Sequence, residues 1–171
     1  MTRLLAIGAL AFAGCQSSRY LCKTIPPDCP RQIVFVQESS EGFGRDAHYE
    51  ISDAKSGRLF GKVRSSIGAD ERGVDGRRLR AGRDFAPVAA VSLSGDTILV
   101  VEDCWDAVPA CKHLLIQLST DAMRSRYIAM PVKSSIPPYP TPPAIMGLTD
   151  DVVRFQFIAD EVREVPLSEF K

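Results

Sequence analysis

The chain has 171 residues, of which 45% are hydrophobic and 25% are charged. This length and composition are typical of one globular domain with its own hydrophobic core. Lysine plus arginine and aspartate plus glutamate both number 21, so the formal net charge is zero at pH 7. A neutral chain has no overall attraction for nucleic acid, and we expect no nucleic acid among its partners.

The chain opens with the pattern of an export signal. Arg3 supplies a positive charge, an apolar run covers Leu4 to Phe12, and small residues follow. The apolar run is too short to span a bilayer, which needs about 20 apolar residues. We therefore expect residues 1–14 to be a signal peptide that is removed from the mature protein.

The signal ends on a cysteine. The segment Leu10-Ala11-Phe12-Ala13-Gly14-Cys15 resembles the lipobox of bacterial lipoproteins. The resemblance implies that Cys15 becomes the first mature residue and carries a diacylglycerol thioether and an N-acyl chain, an anchor that holds stably to a membrane. Gln16 follows the cysteine where that family uses aspartate for retention in the inner membrane, which implies the periplasmic face of the outer membrane. The alternative is an ordinary secretory signal with an incidental cysteine.

Four further cysteines form two pairs, Cys22 with Cys29 and Cys104 with Cys111, each with six residues between its members. Four cysteines allow three connectivities, and we favour two local bridges because each short loop contains a proline that promotes a turn. Zinc ligand pairs usually lie about two to four residues apart, so we expect no metal site. Residues 15–31 are interpreted as a tether that leads into a disulfide-closed loop.

Short strands dominate the rest of the chain. They are rich in β-branched and aromatic residues and are separated by polar or glycine-containing turns. The strands are expected at 32–37, 49–51, 59–63, 88–93, 97–102, 112–118, 126–130, 145–148, 152–158 and 161–167. Beyond the signal, no segment sustains the apolar period of about 3.6 residues that predicts a helix.

These elements predict an all-β fold, with residues 32–171 as a single domain. The preferred architecture is a small antiparallel β-sandwich or an open, barrel-like meander. Three weakly similar hairpins, which begin near residues 48, 114 and 153, suggest a partial β-propeller-like arrangement as the alternative. We prefer the sandwich because a closed propeller needs about four to eight blades and no blade motif recurs.

Two segments interrupt the strand pattern. Residues 65–84 contain four glycines and interspersed arginines and acids, which predicts a long flexible loop. Residues 136–143 contain five prolines. Proline has a fixed φ and no N–H donor, so this segment cannot lie inside a sheet and is predicted to be a stiff connector.

No catalytic motif is found. The chain has two histidines, His48 and His113, and Asp46 lies two residues before the first. No Gly-x-Ser-x-Gly elbow, His-Glu-x-x-His helix or glycine-rich phosphate loop accompanies them. Carboxylate pairs such as a glycosidase uses occur mainly at turns and strand ends, where solvated acids normally collect. These pairs are Asp103 with Asp106, Asp150 with Asp151, and Glu161 with Glu164. We predict no catalytic residue, metal ligand or cofactor.

Three features suggest partner binding. Trp105, the only tryptophan, lies in the loop that a Cys104–Cys111 bridge would close, and a pinned loop loses little entropy on binding. Arginines in the 65–84 segment could pair with acidic groups, and the proline-rich segment could dock in an aromatic groove. The structural alternatives are a core cap, a self-neutralised loop and a spacer. The candidate residues are Trp105, Arg77, Arg78, Arg80 and Tyr139.

These patterns predict a lipid-anchored protein on the periplasmic side of a bacterial envelope. Its expected role is a non-catalytic binding or assembly module with an envelope protein as its partner. Two alternatives remain open. One is a peptidoglycan-directed hydrolase that uses carboxylates or His48, and the other is an inhibitor that inserts the 104–111 loop into the active site of a host or competitor enzyme.

Overall fold

The computed structural model describes residues 16–40, 43–65, 67–68, 77, 80–83, 85–102, 112–119, 122–129, 144–156 and 161–169. Within these ranges the chain forms twelve β-strands and one short 3-10 helix. The strands are β1 (Gln16–Leu21), β2 (Lys23–Ile25), β3 (Arg31–Ser40), β4 (Phe43–Asp53), β5 (Leu59–Arg64), β6 (Val88–Val91), β7 (Thr97–Val101), β8 (Lys112–Leu118), β9 (Met123–Ala129), β10 (Ala144–Leu148), β11 (Val152–Gln156) and β12 (Val162–Pro166). The 3-10 helix covers Leu167–Glu169.

The strands form three open sheets. The first sheet has the order β1-β3-β4-β5, the middle sheet has the order β2-β6-β7-β8-β9, and the third sheet has the order β10-β11-β12. Neighbouring strands are antiparallel except β2 and β6, which are parallel. Most neighbours are also consecutive in sequence, so each sheet is built mainly from hairpins.

The middle sheet lies between the other two, because each of its faces belongs to a different hydrophobic core. Ile98 of β7 shares one core with Phe35 of the first sheet. The next residue, Leu99, points to the opposite face and shares a second core with Phe155 of the third sheet. Every residue of β7 is buried, as expected for a nearly continuous apolar strand that is covered on both faces.

The all-β prediction is confirmed, and the sheets stack as in a sandwich to which a third layer has been added. The predicted strands correspond to β3–β12, with some ends shifted. The three weakly similar hairpins of the sequence are β4–β5, β8–β9 and β11–β12, which are the last two strands of each sheet. Their similarity therefore reflects equivalent positions in the three layers.

The prediction of a tether over residues 15–31 is wrong for the described part of that segment. Strand β1 pairs with β3 along its whole length. After a single intervening residue, Cys22, the chain continues as β2 and pairs with β6 of the middle sheet. The polar composition of β1 conceals this role, because an edge strand is covered on few sides and needs few apolar residues.

The predicted bridge between Cys22 and Cys29 is not formed, and both residues are buried free thiols. Part of the segment between them is extended as β2 and pairs with β6, so it does not close a local loop. The Cys29 thiol instead donates a hydrogen bond to the carbonyl oxygen of Arg31 at 2.9 Å. The predicted bridge between Cys104 and Cys111 lies outside the described residues.

Cysteine labelling checks this arrangement. We expect peptide mapping of the non-reduced mature protein to find no peptide that joins Cys22 to Cys29. Burial raises the pKa of the Cys22 thiol to about 12, and only the thiolate reacts with iodoacetamide. Alkylation of Cys22 should therefore be slow until urea unfolds the domain. Rapid labelling of Cys22 in the native protein, or a peptide cross-linked between Cys22 and Cys29, would contradict the expectation.

The segment predicted as a flexible loop, residues 65–84, is fastened to the core near both of its ends. Ser65 and Ile67 are buried directly after β5. Phe85, just beyond the segment, packs edge-on against an aromatic ring of β3 with 5.4 Å between ring centroids. A few apolar residues at the ends suffice to fix a segment whose composition is otherwise polar. The proline-rich segment 136–143 lies outside the described residues.

The two ends of the stack differ in their connections. At one end, which we name the turn end, short turns join the strands at residues 54–58, 92–96 and 149–151, and the Ser119 N–H donates to the Ala122 carbonyl between β8 and β9. At the opposite end, which we name the connection end, β5, β7 and β9 finish and longer connections begin. The register of the first sheet places Gln16 opposite Ser39 near the connection end, and Arg31 opposite Asp53 at the turn end.

Candidate functional site

The turn between β6 and β7 lies at the centre of the turn end. Gly95 has a φ of 76°, a left-handed conformation that glycine adopts readily, and its N–H donates to the Ser92 carbonyl at 2.9 Å. The Ser92 hydroxyl accepts a hydrogen bond from the Thr97 N–H, and the Ser94 hydroxyl accepts one from the Asp96 N–H, both at 3.2 Å. The turn is thus closely hydrogen-bonded within itself.

Arg31 fastens this turn to the first sheet. Its Nε donates a hydrogen bond to the Gly95 carbonyl at 2.9 Å, and its guanidinium lies 4.2 Å from the centroid of the Phe60 ring. Carboxylate oxygens of Asp53 and Asp96 lie 3.6 and 3.7 Å from the same guanidinium. The Arg31 side chain is only 13% exposed. It therefore acts as a partly desolvated clamp between two sheets.

The same turn also holds the third sheet. The Ser94 hydroxyl donates a hydrogen bond to Asp150 Oδ1 at 2.8 Å. Hydrogen bonds from Ser94 and then from Ser92 lower the pKa of Asp150, so its carboxylate stays ionised. The neighbouring Asp151 carbonyl accepts from the Leu167 N–H at 2.8 Å. All three sheets therefore meet at the β6–β7 turn.

Leu93 occupies the apex of this turn and is 90% exposed. Single exposed apolar residues are common on protein surfaces. Leu93 differs because the backbone on both sides of it is fixed by the bonds of Ser92 and Ser94 and by the Arg31 clamp. Burial of this apolar side chain against a protein partner would be favourable, and the backbone that carries it is already fixed.

A cleft of about 450 Å³ opens beside the apex. Its lining residues are Asp96, Thr97, Gln117, Leu118, Ser119, Ala122, Arg124 and Asp150. The third sheet packs through β10 on β2, β6 and β7. Strands β8 and β9 of the middle sheet lie beside this contact, and their side chains Gln117 and Arg124 line the cleft. Two carboxylates, a guanidinium, an amide and hydroxyls can thus orient a polar ligand or the polar rim of a partner.

Of the partner-binding residues predicted from the sequence, the structure describes Arg77 and Arg80, and neither of these lines the cleft. Arg77 and Arg80 are exposed in the segment that joins β5 to β6. Cys15, Arg78, Trp105 and Tyr139 lie outside the described residues. Strand β5 precedes the segment that contains these arginines, β7 precedes the segment that contains Trp105, and β9 precedes the segment that contains Tyr139. All three strands finish at the connection end, opposite the cleft.

The side chains of Asp46 and His48 are in contact on the outer face of β4. His48 Nδ1 lies 3.0 Å from Asp46 Oδ2, Nε2 lies 3.6 Å from Glu50 Oε1, and the side chain is 5% exposed. A hydrolase triad needs a nucleophile within hydrogen-bond reach of the second ring nitrogen. Within the part of the chain that the structure describes, His48 Nε2 has no hydrogen-bond partner.

The carboxylate pairs are engaged in separate local contacts. Glu161 pairs with Arg163 at 2.7 Å, and Glu164 pairs with Arg154 across the third sheet at 2.5 Å. Asp150 accepts from the Ser94 hydroxyl, as described above. Asp103 and Asp106 lie outside the described residues. The structure therefore brings no predicted carboxylate pair together around a shared substrate position among the residues it describes.

Glu50 makes the stability of the first sheet dependent on pH. Its carboxylate is paired with Arg19 and, at 3.1 Å, with Lys62, and these cations lower its pKa to about 2. Since the pKa is about 4.5 in the unfolded chain, the stabilisation is present above that pH and is lost as the pH falls toward 2. As the pH is lowered from about 5 to about 2.5, the urea concentration at the unfolding midpoint should fall further in the native protein than in Glu50→Gln. Equal losses in the two proteins would remove this role from Glu50.

A second polar cluster is buried between the first and middle sheets. Glu102, which is 1% exposed, accepts hydrogen bonds at one carboxylate oxygen from the Tyr49 hydroxyl at 2.6 Å and the Ser65 hydroxyl at 2.5 Å. Burial and the nearby Glu102 carboxylate raise the pKa of Tyr49 well above its usual value. The cluster joins the two sheets near the connection end and is closed to solvent.

Sequence reasoning missed Leu93, Arg31 and Glu102. The sequence assigns Leu93 to the end of a strand, whereas β6 ends at Val91 and Leu93 lies in the turn. A usable signal was present in the sequence. Leu93 lies between Ser92 and Ser94, and Gly95 follows, a composition that is typical of turns. Arg31 and Glu102 carry no local signal, because their partners are distant in sequence.

Within the described ranges, no helix is long and apolar enough to cross a membrane. In the same part of the chain, no group of three or more His, Cys, Asp or Glu side chains is arranged to hold a metal ion. No protein-family model, curated protein or solved structure matches this chain, so the turn end is interpreted from its own chemistry.

Proposed function

We propose that this chain is a lipid-anchored lipoprotein on the periplasmic face of the outer membrane, and that its all-β domain is a non-catalytic binding or assembly module. The lipobox-like segment that ends at Cys15, followed by Gln16, supports the anchor. The observation that carries the binding role is the exposed Leu93 on a turn that three sheets hold in place.

Preorganisation is the physical argument for binding at the turn end. Ordering a mobile loop on association costs conformational entropy, which weakens the complex. The β6–β7 turn is already ordered by Arg31, Ser92 and Ser94 before any partner arrives. Association with a partner therefore carries no cost for ordering the backbone of this turn.

The chemistry of the turn end describes the partner. An apolar pocket would receive Leu93, and the neighbouring cleft would receive polar groups. Asp96 and Asp150 fit donors on the partner, while Arg124 fits an acceptor. A protein surface combines such a pocket and rim, whereas a small metabolite would leave Leu93 outside the contact. We therefore propose a protein of the cell envelope as the partner.

Site-specific photo-crosslinking in cells tests the binding role. A benzophenone amino acid at position 93 should trap one reproducible partner, whereas the same group at Val162, which is 52% exposed on β12, should not. Leu93→Ser should weaken the interaction by about tenfold or more, because a fully buried leucine contributes about 1.5–3 kcal/mol. Equal trapping at both positions, or unchanged binding of Leu93→Ser, would exclude the turn end.

Mass spectrometry of the mature N-terminus tests the anchor. The native protein should begin at Cys15 with a mass increase that matches a diacylglycerol and an acyl chain, and it should fractionate with the outer membrane. Cys15→Ser should be neither lipidated nor membrane-bound. An unmodified cysteine, or cleavage at another bond, would refute the lipoprotein proposal while leaving the binding test intact.

A further inference from the structure

We infer that the fold begins at the lipid anchor itself, without a spacer, and that the turn end is consequently held well clear of the bilayer, where it meets a protein in the aqueous space. This inference rests on the proposed lipidation of Cys15. It specifies which surface faces the membrane, which surface faces away, and what kind of partner can reach the latter.

Strand β1 begins at Gln16, the residue directly after Cys15, so no spacer separates the strand from the proposed anchor. Gln16 already pairs with Ser39, and each following residue of β1 pairs with β3 up to Leu21 opposite Val34. Consecutive Cα atoms are about 3.8 Å apart, so the lipidated residue would lie next to the first rung of the sheet. A flexible tether, in contrast, would allow the domain to move away from the surface.

Strand β1 is firmly held. Arg19 is ion-paired with Glu50 of β4, and Tyr20 packs against the first core. The chain then passes through buried Cys22 into β2, which pairs with β6 of the middle sheet. The segment nearest the anchor is therefore a strap between two sheets, and it transmits the position of the anchor to both.

The distance between the anchor and the turn end follows from strand β3. Strand β3 runs from Ser39, opposite Gln16, to Arg31, which holds the β6–β7 turn. At about 3.3 Å per residue, this part of β3 covers about 26 Å. The Leu93 apex lies beyond Arg31, on the far side of the stack from the anchor. A lipid headgroup does not extend that far, but a protein in the periplasmic space does.

In an alternative orientation, the first sheet would lie flat on the membrane. Its outer face carries three cations and three carboxylates on the described strands. These residues are Arg19, Lys62, Arg64, Glu38, Asp46 and Glu50. Because the charges are balanced and several are paired with each other, this face has little net electrostatic attraction for an anionic lipid surface.

Contact quenching in vesicles tests the orientation. The lipidated mature protein is reconstituted in vesicles of phosphatidylethanolamine and phosphatidylglycerol that contain a headgroup-attached nitroxide lipid. A fluorescent amino acid is incorporated in separate proteins at Ser17 on β1 and at Leu93. We expect quenching to be severalfold stronger at position 17 than at position 93. Quenching of equal strength at both positions would overturn the orientation.

A spacer variant tests the absence of slack. Insertion of a glycine-serine linker between Cys15 and Gln16 should reduce quenching at position 17 severalfold, because the domain can then leave the surface. Unchanged quenching would overturn the inference. Failure of the native protein to become lipidated is detected beforehand by its mass, so failure of the proposed function and failure of the inferred orientation are distinguishable.

Discussion

Replacement of Glu102 by leucine should lower the free energy of unfolding by about 3 kcal/mol or more, because it leaves two buried hydroxyl groups without their acceptor and each such group costs about 1–3 kcal/mol. Tyr49 and Ser65 both donate to the same oxygen of Glu102. Tyr49 is fully buried, so water cannot replace the lost acceptor. Urea unfolding monitored by circular dichroism measures the loss.

Two matched variants separate the hydrogen bonds from packing. Glu102→Gln keeps the shape and an acceptor oxygen, so it should retain more stability than Glu102→Leu. The triple variant Tyr49→Phe, Ser65→Ala, Glu102→Leu removes donors and acceptor together and should be more stable than Glu102→Leu alone, since no polar group is then left unsatisfied. If Glu102→Leu is as stable as the native protein, the cluster does not join the sheets.

Gly95→Ala should destabilise the turn end by about 2–4 kcal/mol, because backbone strain and a steric clash act together. The φ of 76° is unfavourable for alanine. A Cβ atom would also lie 2.8 Å from Pro30 Cγ and 3.2 Å from Arg31 Nε, so the clamp would have to move. We expect a lower unfolding midpoint, faster amide exchange around residues 92–97, and weaker partner capture at Leu93.

Gly57→Ala is the matched control for Gly95→Ala. Gly57 has a similar φ of 70°, but a Cβ atom there would have no neighbour within 4 Å. This substitution should therefore cost only the backbone strain, about 1 kcal/mol, and should leave partner capture unchanged. If both substitutions reduce stability and partner capture equally, the contact between the β6–β7 turn and Arg31 does not help to hold the turn against the first sheet.

Most strands of the fold could be anticipated from local patterns. Alternating or continuous apolar runs identify β3 to β12, since a strand shows its burial in its own sequence. Strands β1 and β2 could not be identified, because they contain few apolar residues and exist through pairing with β3 and β6. The same limit explains the incorrect local bridge, since the pairing of β2 extends the chain between Cys22 and Cys29.

The candidate site was far less predictable than the strands. Leu93 carried a weak turn signal, but its rigid presentation depends on Arg31 from another sheet and on Asp150 from a third. Such contacts join residues distant in the chain, and nothing in the local sequence of either partner marks them. The residues that the sequence favoured instead, such as Trp105, attract notice by composition alone.

The sequence by itself determined the all-β class, most of the strands and an N-terminal segment that predicts export and lipidation, because each of these is encoded in neighbouring residues. Only the tertiary structure decided that three sheets stack around two cores, that Glu102 is buried with its donors, and that Leu93 lies at the end opposite to Gln16, the first residue of β1. The physical reason is that packing and strand register join residues far apart in the chain, and these depend on complementary shapes and charges that no local pattern contains.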